Sequence, residues 1–180
     1  MGVRVWLLGA WRWSSIPIFK YTTLLIINTL YRLWIMSTIH LITTCAKKKA
    51  GPVHDTVFPY HTTDTEIAYQ QWKSLVQSRF TTCNDDIKET ENIYCSAHWS
   101  TAKSIANSNS HIWLWVISAG LGLRHSSDPA IPYDATFTKI GRKSASIWGM
   151  LTSDPILPGK VPSLAELFSM YRHDIFIIAA

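Results

Sequence analysis

Two carboxylates and a run of lysines are the residues in this chain best suited to chemistry. Asp134 follows Ile131, Pro132 and Tyr133, and the proline stiffens the backbone beside a carboxylate and a phenol. Asp128 lies six residues earlier, directly before Pro129. A carboxylate near the end of a strand can orient water or stabilise a cationic transition state. Asp128 also reads as a turn residue before proline, and Asp134 reads equally well as structural. Cys45 followed by Lys47, Lys48 and Lys49 offers point charges for a phosphate and a thiol beside a nucleobase. The same spacing also suits a solvated loop with Cys45 as a small core residue. Ser118, Ala119, Gly120, Leu121 and Gly122 form a small-residue turn whose amides can approach a ligand. It lacks the spacing of a dinucleotide fingerprint and the lysine of a phosphate-binding loop. Tyr133 and Phe58 offer rings for stacking on a base. His54, His61, His98 and His125 have no metal-binding spacing, and no serine sits in a nucleophile elbow.

Strands must deliver these groups. Residues 112–117 form a continuous apolar run rich in Trp, Val and Ile, which predicts a strand buried on both faces and ending at the small-residue turn. A polar loop is predicted after it. Residues 38–43 predict a first strand ending at Cys45, and residues 175–180 a last one. Residues 64–79 and 96–107 predict amphipathic helices. Asp64 starts the first, with Ile67, Trp72, Leu75 and Val76 inward; the second turns Trp99, Ala102, Ile105 and Ala106 inward. Residues 81–92 read as a loop or weak strand. Residues 143–152 predict a short helix, and Ser163 with Glu166 predicts a capping box on another. Alternating strands and helices predict an α/β fold: three layers, a mostly parallel central sheet and helices on both faces. The strand ends at Cys45, Ser118 and Ala180 are then expected on one side.

Bulk properties set outer limits. The 180 residues carry a net charge of +5, but Arg4, Arg12, Lys20 and Arg32 all fall in the first 35 residues, which hold no acid. From Met36 onward, 13 basic residues face 12 acidic ones, so composition alone gives no general basic face. Three cysteines without a close pair argue against a zinc knuckle or disulfide framework and favour a reducing, cytoplasmic setting. Residues 1–35 are apolar, aromatic and basic. They read as an extension ahead of a natural start at Met36, as an extra helix or strand, or, last, as an anchor. The anchor reading meets Pro17 and Lys20, and its cleanest apolar stretch is shorter than the ~20 residues a spanning helix needs. Residues 36–180 are expected to form one α/β domain.

The stretches LITTCAKKKAGP, AHWSTA, WVISAGLGL and IPYDATF, taken in order, resemble a bacterial and archaeal family related to the YaaA proteins and to a domain attached to archaeal tRNA-guanine transglycosylases. The matching positions are Thr44, Cys45, Lys47 and Lys49, then Ser118, Ala119, Gly122 and Leu123, then Pro132, Tyr133 and Asp134. The resemblance spans residues 37–180, and the final strand departs from the family pattern by lacking the polar residues expected after it. Related domains look like the uracil-DNA-glycosylase superfamily, and some occur in phage-defence or deazaguanine-modification settings. The resemblance implies a uracil-DNA-glycosylase-like fold and hydrolysis of the N-glycosidic bond of a flipped, modified base in double-stranded DNA. Asp134, with Asp128 second, would orient water. Ser118, Ala119, Gly120, Gly122, Tyr133 and Cys45 would hold the base, and Thr44, Lys47 and Lys49 the phosphates. No metal or other cofactor is implied. A non-catalytic YaaA-like binder of DNA or of a free base is the alternative.

Overall fold

The computed structural model describes residues 37–179; the readings made for residues 1–35 lie outside them. Its main sheet has four strands: β1 (Ile39–Thr44), and, after the short β2 (Lys88–Glu89), β3 (Ile112–Ser118), β4 (Gly122–His125) and, beyond β5 (Pro129–Ala130), β6 (Ile175–Ala179). The spatial order is β4-β3-β1-β6, with β3 and β6 parallel to β1 and β4 antiparallel to β3. β2 and β5 form a separate antiparallel pair. The helices are α1 (Thr65–Thr82), α2 (Ala97–Asn107), α3 (Phe137–Ile140), α4 (Ser144–Ser153) and α5 (Leu164–Met170). The chain is thus mixed α/β, with a mostly parallel sheet.

Side chains alternate across a strand, so the apolar run of β3 supplies both faces. Leu114 and Val116 join Leu41, Trp72, Val76, Trp99 and Ala102 in the larger core under α1 and α2. Trp115 joins Ile42, Leu123, Val161 and Leu167 in the second core, with Trp113 and Ile117 packed against it. The crossover from β1 to β3 runs through α1 and α2, and the return past β1 to β6 runs through α4 and α5. Ile147 and Leu151 of α4 lie in the larger core with α1 and α2, and Leu167 of α5 lies in the second, so helices cover both faces. The chain leaves β3 directly into the adjacent β4, Ser118 pairing with Gly122. Among the described residues, no helix is long and apolar enough to cross a membrane.

Local chemistry starts the helices where the sequence places them. Asp64 accepts the amide of Ile67 at 2.9 Å, Ser96 that of Trp99 at 3.2 Å, and Ser163 that of Glu166 at 3.2 Å. Each side chain satisfies an amide that has no partner inside its helix.

Two expectations change, and a third is made specific. Ile67 and Ile105 are exposed, at 54% and 46%, because bulky rings set the buried stripes at Ala68, Tyr69, Trp72 and Val76 of α1 and at Trp99 and Ala102 of α2. The polar loop expected after residue 122 is β4, whose Arg124 and His125 are buried. Residues 81–92 hold a 3₁₀ turn at Asn84–Asp86 and the short β2.

The β3–β4 turn is filled from outside. Gly122 has φ +76°, and a Cβ there would meet the Leu151 carbonyl oxygen at 2.9 Å. Gly122→Ala is expected to lower stability by about 2–4 kcal/mol, combining left-handed strain with overpacking against α4. Urea unfolding measures it, and an unchanged midpoint would contradict this packing.

Candidate functional site

The site begins where β1 ends. Cys45 extends the β1–β3 pairing by one bond, its amide donating to the Ile117 carbonyl at 3.1 Å. The lysine run that follows is held along residues 93–95: Lys49 bridges Tyr94, the Cys95 amide donates to Lys48 O at 2.9 Å, and the Ala50 amide to Ile93 O at 2.7 Å. Lys47 and Lys48 are exposed, whereas Lys49 turns inward and is only 8% exposed.

Behind Lys49 lies a buried chain of hydroxyls. Ser118 Oγ is 2.6 Å from Tyr133 Oη, which is 3.1 Å from Tyr94 Oη. Ser118 Oγ also accepts the Leu121 amide at 3.0 Å. The Lys49 ammonium lies 4.3 Å from the centre of the Tyr133 ring and 5.6 Å from that of Tyr94. Burial pushes both phenols up, so they remain neutral. Burial also pulls the Lys49 amine down, against the pull of Cys45 and Asp134 in the other direction.

Asp134 sits at the front of this cluster. Its backbone is tied to the opposite segment, its amide donating to Thr56 O and its carbonyl accepting the Phe58 amide, both at 2.9 Å. One carboxylate oxygen accepts from Lys139 Nζ at 2.9 Å, and the other from Tyr60 Oη at 3.3 Å. The hydrogen bond from Lys139 leads in holding this carboxyl below its usual range, against partial desolvation. Tyr60 is pushed up to about 12 by burial and then by Asp134. Lys139 is placed by α3, whose first turn Thr136 caps by accepting the Lys139 amide at 3.3 Å.

Thr44, Cys45, Lys47, Thr136, Phe137, Thr138 and Lys139 line a cavity of about 380 Å³. A second cavity of about 620 Å³ shares Thr44 and continues over Leu41, Thr43 and α2. There His98 Nε2 donates to the Thr44 carbonyl at 3.1 Å.

The structure divides the predicted residues into three groups. Thr44, Cys45 and Lys47 line the smaller cavity, and Asp134 adjoins it through Lys139. Ser118, Ala119, Gly120, Gly122 and Tyr133 are buried behind it and line neither of these cavities. The small-residue turn is filled by protein: Trp72 Nε1 donates to Gly120 O at 2.7 Å, and a Cβ on Gly120 would meet the Tyr133 ring at 2.8 Å. Tyr133 is 0% exposed, so its ring offers no face for stacking; Phe58 is buried as well. Lys49, expected as a phosphate contact, is enclosed by rings.

Asp128 stands apart from the others. Its oxygens accept the His125 amide at 2.7 Å and the Lys160 amide at 3.1 Å, so it clamps the β4–β5 turn to the loop before α5. The sequence reasoning missed Tyr60, Tyr94, Thr136 and Lys139. Only Thr136 with Lys139 carried a local signal, a capping residue three positions before a lysine.

Among the described residues, no group of three or more His, Cys, Asp or Glu is placed to hold a metal, and the three cysteines are free. The chain matches no protein-family model, no curated protein and no solved structure.

Proposed function

We propose that this chain binds a nucleotide of double-stranded DNA at the carboxyl ends of β1 and β3 and hydrolyses its N-glycosidic bond. The observation that carries the reading is the cavity of about 380 Å³ between the end of β1 and α3, with Lys47 and Lys139 on its wall and the ionised Asp134 bonded to Lys139. Its volume falls within the range of small-molecule sites. Two cations suit a phosphate, the threonine hydroxyls suit sugar or base edges, and a carboxylate suits an oxocarbenium-like sugar or an attacking water. The base must leave the stack to reach such a site. The choice of glycosidic chemistry, a modified base as substrate and a uracil-DNA-glycosylase-like three-layer fold all rest on the motif resemblance.

Abasic sites formed in DNAs carrying different base modifications, set against unmodified DNA, test the reading. Protein that leaves every DNA equally free of abasic sites overturns it. One feature favours the second reading, a binder without catalysis: both oxygens of Asp134 are engaged, by Lys139 and by Tyr60. A binder would retain DNA in the same assay while forming no abasic sites.

Lys47 is an exposed cation on the cavity wall and, unlike Lys139, is not bonded to Asp134. Lys47→Ala is expected to weaken DNA binding similarly across sequences and to reduce the slope of log affinity against log salt by roughly one. Titrations at several salt concentrations measure the slope.

A further inference from the structure

Thr43 carries a buried hydroxyl that no hydrogen bond reaches among the described residues. Side chains alternate along β1, so Ile42 enters the second core while Leu41 and Thr43 face α2. Thr43 is only 2% exposed, and buried hydroxyls are usually paired. This one lines the cavity of about 620 Å³. The walls around it are apolar: Leu41 on β1, Ala102 and Ile105 on α2, and Ala179, the register partner of Thr43 on β6. His98 has both ring nitrogens engaged, Nε2 by Thr44 O at 3.1 Å and Nδ1 by Ser96 Oγ at 2.9 Å. It therefore offers the cavity ring surface and no further donor. An apolar enclosure with one convergent polar group suits a flat ring with a polar edge. The cavity of about 380 Å³, which shares Thr44 with this one, carries Lys47 and Lys139. A ligand with an anionic end and a flat end would use both; a bare sugar phosphate would leave the larger cavity idle, and an uncharged ring the lysines. The small-residue turn cannot take the ring, because Tyr133 and Trp72 already fill it.

We propose that the larger cavity is the base subsite for a nucleotide whose phosphate stands on Lys47 and Lys139. The Thr43 hydroxyl bonds the polar edge of the base, and Leu41, Ala102 and Ile105 pack on the ring. This rests on the smaller cavity as a phosphate and sugar site, and not on base excision itself. The nucleotide can be one turned out of a strand or a free monophosphate.

Methyl NMR spectra of the full chain follow three titrations: the four deoxynucleoside 5′-monophosphates, a duplex with one mispaired position, and 2-deoxyribose 5-phosphate, which lacks a base. The expected result, with a monophosphate or the duplex, is that the methyls of Leu41, Ala102 and Ile105 shift together with those of Thr136 and Thr138, which line the smaller cavity. The methyls of Leu123 and Val161, in the second core, should stay in place. The base-less sugar phosphate should move Thr136 and Thr138 alone. Shifts with the duplex only assign the strand-borne nucleotide; shifts with a monophosphate, alone or as well, assign free nucleotides. Shifts confined to Thr136 and Thr138 for every probe overturn the base subsite and leave the phosphate site standing; no shift with any probe overturns both. Thr43→Val keeps the shape and removes the hydroxyl. It should weaken monophosphate binding about three- to tenfold, the net worth of one hydrogen bond, and leave the sugar phosphate unaffected; equal affinity overturns the role of Thr43. Thr101→Trp puts a ring at an exposed position on the cavity wall and should abolish the base-dependent shifts even where Thr43→Val fails to fold. Abasic sites are scored separately, so a failure to excise bases leaves this result readable.

Discussion

Asp128→Ala is expected to lower the stability of the fold by about 3–5 kcal/mol, the usual cost of removing one partner of a buried ion pair. Asp128 is 3% exposed, and its Oδ2 lies 4.0 Å from Arg124 Nε. Arg124 is itself buried and donates to the carbonyls of Leu157 at 3.0 Å and of Pro129 and Pro158 at 2.6 Å each. One guanidinium therefore ties β4, β5 and the proline-rich loop together, with Asp128 as its counter-charge. Burial pulls the Arg124 group down, and Asp128 opposes that pull. Without the carboxylate, a charge stays buried without its partner, and the amides of His125 and Lys160 lose their acceptors. Asp128→Asn keeps an acceptor and removes the charge, so a smaller loss is expected. Urea unfolding decides the matter: a variant within 1 kcal/mol of the parent, taken as roughly the net worth of one hydrogen bond, would show that the pair carries no weight. A role in positioning the fold also predicts that folded Asp128→Asn keeps its activity.

Asp128 shows where sequence reasoning ran out. An acid before proline is visible in one dimension; its acceptor bond to Lys160, 32 positions away, is not. The same limit hid β4. Arg124 and His125 fall in the stretch read as a polar loop, and burial of Arg124 is tolerable because the carbonyls of Leu157 and Pro158, 33 and 34 positions away, accept its hydrogen bonds. Features set by local chemistry were legible: the apolar run of β3, because a strand covered on both faces leaves no polar position, and the caps at Asp64 and Ser163. The parallel strand ends at Thr44, Ser118 and Ala179 do share one edge, as the alternation of elements implied.

The lysines carry a finer lesson. Lys47, Lys48 and Lys49 are chemically identical in the sequence, and extended pairing with residues 93–95 decides which one turns inward. The small-residue turn misled for a similar reason. Glycine admits a ligand or a neighbouring ring equally well, and here the Tyr133 ring fills the space beside Gly120. Tyr94 gave no signal at all, since its partner Tyr133 lies 39 positions away.

Asp134→Asn is expected to reduce base excision by about a hundred- to ten-thousand-fold, the range for loss of a positioned acid or base, with DNA affinity kept or slightly raised. The substitution is nearly isosteric. The backbone bonds to Thr56 and Phe58 are untouched, and an amide oxygen can still accept from Lys139. Loss of the negative charge frees Lys139 to meet a phosphate, so binding should tighten at low salt rather than weaken. The pH profile gives an independent check. Folding lowers the proton affinity of this carboxyl, chiefly through the Lys139 hydrogen bond, so its ionised form persists as pH falls and is lost only below the usual carboxylate range. Activity that needs the carboxylate should then hold through pH 5, with its acid limb beneath the ordinary value near ~4. Lys139→Ala removes the largest cause of that depression and should move the limb upward. Because the carboxylate stays about a third exposed, solvent screening keeps its share of the fold's stability small, and activity is the more sensitive readout. An Asp134→Asn protein that excises bases at the parent rate would leave the carboxylate without a chemical role. Water would then need another base: Cys45 lines the same cavity, whereas His98 lines the neighbouring one, with Nε2 on the Thr44 carbonyl and Nδ1 on Ser96 Oγ.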